Sequence, residues 1–112
     1  MSNIFTINRK NEIKLTQGDT AFLDITITNY DPVEGDILYF TVKKDITSME
    51  NTIQKKITEF DGNVAKVVLS TLDTNIDIDT YIYDIQLSLA DGRVNTVILP
   101  TIFEIIPGVT HD

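Results

Sequence analysis

The sequence predicts an all-β domain, an antiparallel two-sheet sandwich of Ig-like layout with about eight or nine short strands. Three observations predict it. Apolar and polar residues alternate over most of the 112-residue chain, which is the period of a half-buried strand. No long window keeps the apolar spacing of a helix. Turn-forming Gly, Pro, Asn and Asp residues separate the alternating runs at short intervals.

The expected strands are nine runs of alternating or β-branched composition: residues 4–7, 13–16, 21–28, 37–44, 53–57, 64–69, 81–89, 94–99 and 101–106. Pro100 separates the last two, because proline has no N–H to donate to a ladder. The inward positions of these runs predict the core, which is expected to contain Leu23, Ile25, Ile27, Phe40, Val42, Val67, Leu69, Tyr83, Ile85, Leu87 and Phe103.

The segments between the strands have the composition of turns and crossings. Asp61-Gly62 and Asp91-Gly92 predict tight hairpin turns, since glycine adopts positive φ without a steric cost. Residues 45–51 are polar and predict a loop or one helical turn. Residues 70–79 are rich in Asp, Asn and Thr, which favour local bonds to the backbone, and predict a crossing between the two sheets. Tyr81 follows this crossing as the tyrosine does in a tyrosine corner, where its hydroxyl bonds to upstream backbone.

Composition excludes several classes of protein. Asp and Glu number 17 against 9 Lys and Arg, which gives a net charge of −8. An acidic chain is a poor match for nucleic acid or for an anionic membrane surface, so neither is expected as a partner. No apolar run reaches the roughly 18 residues of a membrane span. There is no cysteine, so disulfides and thiol chemistry are excluded.

Length and the N-terminal residues predict the organisation of the chain. Residues 1–112 are expected to form a single domain, which is within the usual size range. The first ten residues, MSNIFTINRK, lack the basic and then apolar pattern of a signal peptide. The protein is therefore expected to fold in the cytoplasm of the cell that makes it.

Asp84 is the most conspicuous candidate for chemistry, because it lies inside a strand between Tyr83 and Ile85. On the alternation it shares a face with Gln86 and Ser88, opposite the aromatic face, where solvated or interface side chains belong. A catalytic carboxylate needs a partner and a desolvated pocket to tune its pKa, and neither is supplied nearby in the sequence. We therefore expect no catalytic residue and no enzyme activity.

A metal site is considered at the crossing and rejected. Asp73, Asn75, Asp77 and Asp79 alternate, and Asp84 occupies the twelfth position counted from Asp73, which echoes the spacing of a calcium loop. That loop needs glycine at its sixth position for a sharp turn, and Ile78 stands there. We expect neither a metal nor a cofactor. His111 is the only histidine, and its position near the C-terminus makes a catalytic role unexpected.

Taken in order, five stretches resemble the N-terminal domain of phage upper baseplate proteins, found in phages and prophages of Gram-positive bacteria. They are LTQGDTAFLDITITN, EGDILYFTVKK, LSTLDT, YIYDIQLSLADGRVNTVILPTIFEI and PGVTH. The resemblance extends from about Ile4 to His111 and is most specific at Gly18-Asp19-Thr20, residues 40–44, residues 83–86 and Asp91-Gly92. Asp79-Thr80 depart from the family, whose members often carry glycine before the tyrosine.

The resemblance implies a β-sandwich building block of a tail baseplate. In that family the domain joins the receptor-binding apparatus to the tail core and usually works within a trimer. The implied partners are other tail proteins and further copies of the chain, and the implied location is the virion tail. Longer relatives continue into a helical or host-facing region. If nothing follows Asp112, the receptor-binding part belongs to another protein.

The residues alone suggest where such a partner binds. The interface candidates are Ile82, Asp84, Gln86, Arg93 and Ile102, which lie on one polar strand face, at the start of the next strand and in the apolar C-terminal run. Ile82 among polar neighbours suits an interface, which mixes an apolar centre with a polar rim. The alternative function is a carbohydrate-binding module that contacts the host cell wall. Exposure of Tyr30 and Tyr39 next to each other on one face would favour that alternative.

Overall fold

The computed structural model describes residues 6–7 and 11–108 and confirms that the protein is almost entirely β. Within these residues there are eight strands and one helix: β1 Thr6–Ile7, β2 Ile13–Thr16, β3 Ala21–Thr26, β4 Ile37–Lys43, β5 Ile53–Ile57, β6 Val64–Leu69, α1 Thr71–Thr74, β7 Asp79–Ser88 and β8 Val94–Ile106. In this part of the chain, no helix is long and apolar enough to cross a membrane. His111 and residues 4–5 of the first predicted strand lie outside the described residues.

The strands form a curled six-stranded sheet in the order β1-β2-β8-β7-β4-β5 and a two-stranded sheet of β3 and β6. All ladders are antiparallel except that between β2 and β8, which runs parallel. The buried core contains inward residues of both sheets, including Leu23 and Val67 from the small sheet and Phe40 and Phe103 from the large one. Burial between two sheets explains why one face of each strand is apolar.

The prediction of two strands on either side of Pro100 is wrong, because β8 runs without a break from Val94 to Ile106. The ladder instead absorbs the proline at a register shift. Tyr83 pairs with Thr101 and Ile85 pairs with Ile98, so β8 carries one extra residue between these pairs. A β-bulge of this kind tolerates proline, since the extra residue leaves the regular hydrogen-bond ladder.

The residues predicted to form the core are buried, with one exception: Ile25 in β3 is half-buried. The aromatic centre consists of three mutually packed rings, those of Phe40, Tyr83 and Phe103. Their centroids lie 5.3–6.2 Å apart in tilted or edge-on arrangements, which aromatic pairs prefer over face-to-face stacking. Two polar residues, Asp36 and Thr74, are also fully buried, and the sequence analysis did not place them there.

The segment 70–78 crosses from β6 of the small sheet to β7 of the large sheet, as predicted. Ser70 caps the single turn of α1. Its hydroxyl oxygen accepts the Asp73 N–H, and the Asp73 carboxylate accepts the Ser70 N–H. Thr74 fixes the crossing by donating its hydroxyl to the Asp19 carbonyl at 2.6 Å. Tyr81 donates its hydroxyl to the Asp77 carbonyl at 2.7 Å, which is the upstream backbone bond that the sequence predicted.

Asp36 connects two turns at one end of the molecule. Its Oδ2 accepts the Tyr30 hydroxyl at 2.5 Å and the Val33 N–H at 2.8 Å, and its Oδ1 accepts the Ala90 N–H at 2.9 Å. These bonds favour the charged carboxylate, with the Tyr30 hydroxyl as the largest cause, and they hold the Asp36 pKa below its ordinary value. A buried carboxylate with three donors is stable in its charged form, so Asp36 has a structural role.

Candidate interaction surface

The outer face of the large sheet carries most of the predicted interface residues. Ile82, Asp84 and Gln86 alternate with the buried Tyr83 and Ile85 and therefore point away from the core. Ile82 is paired with Lys43 of β4 on one side and with Ile102 of β8 on the other. Residues directly opposite in neighbouring strands share a face. The sheet thus brings Ile82 and Ile102 together, although they are distant in sequence.

Around these residues lies a surface that we call the outer patch, consisting of Lys43, Ile46, Ile82, Asp84, Pro100 and Ile102. It contains a shallow depression of about 230 Å³, lined by five of these residues together with Thr41 and Tyr83. Ile46, from the loop between β4 and β5, is 74% exposed, and Ile102 is 39% exposed. Apolar side chains gathered around charged ones are typical of an interface rather than of a purely solvated sheet face.

Asp84 is half-buried within the outer patch. Burial raises its pKa above the ordinary value, and the Lys43 ammonium opposes this only in part. The local cause is visible in the ladder, since the residues of β8 opposite Asp84 belong to the bulge that contains Pro100. Asp84 therefore has Thr41 of β4 as its directly paired neighbour and lacks a paired residue only on the β8 side. A partly desolvated carboxylate of this kind gains most from a donor brought by a partner.

Two of the predicted interface residues lie apart from the outer patch. Gln86 is on the same outer face but is exposed and lies between Tyr39 of β4 and Thr96 of β8. Arg93 lies in the turn between β7 and β8, where its Nε donates to Asp91 at 2.8 Å. The structure therefore joins Ile82, Asp84 and Ile102 into one surface and leaves Arg93 outside it.

The carboxylates with calcium-like spacing do not converge. Asp73 bonds to Ser70 and to the Lys55 ammonium at 2.8 Å, while Asp79 pairs with Lys44 and Asp84 lies on the outer patch. Among residues 11–108 there is no group of three or more His, Cys, Asp or Glu side chains able to hold a metal ion. That the protein binds no metal stays a prediction.

A second concave feature, which we call the side cleft, lies between β3 and the first half of β8. Its volume is about 670 Å³. Leu23 and Ile25 of β3, and Ile27 just after it, line the side cleft together with Val97 and Ile98 of β8. Polar side chains at its rim include Asn11, Thr26, Thr28, Asn95 and Arg93. The sequence analysis missed this cleft, because its two walls are distant in the chain and belong to different sheets.

The two tyrosines named for the carbohydrate alternative lie on different surfaces. Tyr39 is half-buried on the outer face of the large sheet, with the Lys56 ammonium 5.6 Å from its ring centroid. Tyr30 packs against the core and lines the side cleft, with its hydroxyl committed to Asp36. They do not form one exposed aromatic platform, so the condition that would favour sugar binding is not met.

Comparisons with known proteins add little to this geometry. No protein-family model matches the sequence, and no curated protein matches it significantly. Among solved structures, the crystal structure of a "putative glycoside hydrolase" from Bacteroides vulgatus is similar, with a TM-score of 0.46 and 17% identity. The match covers 85% of this chain and 16% of that protein. A similarity at this level supports no conclusion about activity.

Proposed function

We propose that this chain is a structural domain of a phage or prophage-encoded tail baseplate. It is an Ig-like β-sandwich that links the host-recognition apparatus to the tail core through protein–protein contacts. The observation that carries the proposal is the outer patch, where Ile46 and Ile82 line the same depression as the half-buried Asp84 and Ile102 is paired with Ile82 in the sheet. Specific interfaces combine an apolar centre with charged groups of this kind.

The sequence resemblance supports the choice of a baseplate over other interaction modules. The stretches that carry it coincide with structural landmarks. Gly18-Asp19 is tied to the crossing through Thr74, and Asp91-Gly92 forms the turn between β7 and β8. The Tyr81 hydroxyl bond to upstream backbone supports the Ig-like layout. These features are architectural, which suits a protein whose role is assembly and not catalysis.

Asp84 has a definite part in this proposal. Its pKa is raised by burial, so the charged form costs stability in the isolated domain. A partner that donates an N–H or brings a cation to this carboxylate offsets that cost on binding. Asp84 then fixes the orientation of the partner, while the isoleucines supply apolar contact area. Copies of the chain assemble as a homo-oligomer, for which the family resemblance favours a trimer, and the assembled domain resides in the virion tail.

The test is association of the purified domain with the tail-core protein encoded beside it, followed by light scattering. The variant is Ile82→Arg/Asp84→Arg. Its matched control is Val68→Arg/Asp61→Arg, which makes the same charge change at exposed residues on or beside the small sheet. We expect the wild type and the control to form the complex and the outer-patch variant to fail. Equal complex formation by all three proteins removes the outer patch from the interface.

A further inference from the structure

We propose that the side cleft binds an extended segment of a different protein as an added β-strand, alongside the unpaired edge of β8 at residues 94–98. The segment recognised is a neutral or basic peptide with apolar side chains at alternate positions. This inference deepens the proposed function by stating the form of one partner, and it concerns a surface separate from the outer patch.

One strand position is left open beside β8. Strand β2 lies next to β8 only along residues 103–106, and β7 occupies the opposite edge along residues 94–98. The other edge of residues 94–98 has no ladder partner among the described residues. An added strand there continues the position of β2 within the same sheet. Unpaired edge N–H and C=O groups are a template for such pairing.

Several core-facing residues are left uncovered on this side. Asn95 is paired with the buried Leu87 and so shares its inward face, yet Asn95 is exposed. Val97 and Ile98 are only half-buried, and so is Ile25 across the cleft, although all three pack against the core. In a closed sandwich such positions are covered by a further strand. Apolar side chains on one face of an added strand would cover them.

The free edge of β8 also lacks the charged residues that usually protect an edge strand. Strands at free edges usually carry charged residues that discourage further pairing. From Val94 to Phe103 this strand has no charged residue, and its one protective residue, Pro100, lies beyond the stretch that faces the cleft. On the opposite wall, β3 pairs only with β6, so its edge along residues 23–26 is also without a ladder partner in the described chain, although this stretch carries one charged residue, Asp24. Two free edges therefore flank one cleft.

The charge of the protein indicates which kind of strand the side cleft binds. The chain has a net charge of −8, so a second copy brings the same negative charge and gains no electrostatic attraction at this cleft; the proposed homo-oligomer is held by contacts other than this edge. A neutral or basic segment is attracted by the same field. We therefore assign the cleft to a strand from a different protein and not to self-pairing of β8.

The probe is a synthetic peptide, acetyl-Lys-Val-Thr-Val-Thr-Val-Lys-amide, titrated into isotopically labelled protein. Binding is followed by the amide chemical shifts of residues 94–98 and 23–26 and by their hydrogen exchange. The control peptide has the same sequence with each internal residue N-methylated, which removes the backbone donors. Asn95→Lys places a charge in the cleft, and Gln86→Lys places the same charge on the outer face of the neighbouring strand.

We expect the peptide to bind with a Kd of roughly 1 mM or tighter and to slow amide exchange at residues 94–98. The N-methylated peptide is expected not to bind. Asn95→Lys should weaken binding at least tenfold, and Gln86→Lys should leave it within about twofold. Absence of binding, binding outside the cleft, or equal binding by the N-methylated peptide overturns the inference. A dimer of the free protein that Asn95→Lys dissociates also overturns it, by assigning the edge to a second copy. None of these results bears on the outer patch, whose test uses different variants.

Discussion

Tyr30 donates its hydroxyl to the buried carboxylate of Asp36 at 2.5 Å, and the same carboxylate accepts the N–H of Ala90, 54 residues further along the chain. Asp36 thereby ties the turn before β4 to the hairpin between β7 and β8. The Tyr30 bond is the largest cause of the lowered Asp36 pKa. A group whose pKa is lower in the folded than in the unfolded state stabilises the fold above the unfolded pKa. That stability is lost as the pH falls through the folded pKa.

Tyr30→Phe should therefore destabilise the protein in a pH-dependent way. The variant loses the strongest bond to Asp36, so the Asp36 pKa returns towards its ordinary value of 3.8. We expect a lower urea midpoint than wild type at pH 7 and a narrowing difference as the pH falls below about 3.8. Urea unfolding between pH 7 and pH 2.5 measures this, with Tyr39→Phe as the matched control. A difference that stays constant over the whole range contradicts the assigned role of Asp36.

Substitution of Gly35 should destabilise the protein, because Gly35 lies next to Asp36 in the turn that contacts the hairpin of Ala90. It has a φ of +99°, and an added Cβ would lie 2.9 Å from the Ala90 Cβ. Gly18 has a φ of +83° and open space around it, so Gly18→Ala measures the backbone cost alone, about 1–2 kcal/mol. We expect Gly35→Ala to cost about 1–3 kcal/mol more, as overpacking does. The double variant Gly35→Ala/Ala90→Gly should recover most of that excess.

Equal losses for Gly35→Ala and Gly18→Ala in urea unfolding would show that the turn relaxes away from the hairpin. Failure of Ala90→Gly to rescue Gly35→Ala would have the same meaning.

Much of the fold follows from alternation, because each strand has one buried face and the burial of that face requires apolar residues. The inward positions of β4 and β7 were predicted in this way, whereas the crossing before Tyr81 was predicted from its Asp, Asn and Thr composition. Asp36 was not, since a polar residue after glycine is normally a solvated turn residue. Its burial depends on donors from Tyr30 and Ala90, and no local pattern indicates that the hairpin of Ala90 returns to the turn before β4.

The same reason limits what the sequence predicts about the surfaces. Ile82 and Asp84 were placed on the outer face correctly, because that needs only the period of one strand. That they line one depression with Ile46 depends on the position of the loop between β4 and β5, and the side cleft depends on β3 and β8 lying opposite each other. Pro100 was expected to end a strand, whereas a register shift keeps it within β8. Such features arise from tertiary packing and leave no periodic signal.

The inward face of β7 is tested by truncation. Ile85 is fully buried, so Ile85→Ala should cost roughly 2–5 kcal/mol of unfolding free energy, as is usual for buried aliphatic residues. Ile82→Ala, three positions earlier on the outer face, should cost less than about 1 kcal/mol. Urea denaturation of both variants gives the comparison. Similar losses for the two would contradict the assignment of inner and outer faces.

Asp84→Asn should stabilise the isolated domain at neutral pH. Burial raises the Asp84 pKa above its ordinary value of 3.8, so the charged carboxylate lowers stability once the pH exceeds that value. We expect a small rise in Tm at pH 7 that disappears near pH 3, where both side chains are neutral. Thermal unfolding measures it, and Asp61→Asn at an exposed turn is the control. A lower Tm for Asp84→Asn at pH 7 would mean that Asp84 already has a stabilising partner within the domain.

The central claim, that this chain is a component of a tail baseplate, is tested most directly on particles from the bacterium that encodes it. Tail-containing particles are induced, purified on a density gradient and analysed by quantitative mass spectrometry, and an antibody against the domain is located by electron microscopy. We expect the chain in fixed proportion to the other tail proteins, with antibody at the tail tip. Particles that assemble fully and adsorb to host cells without this chain would contradict it.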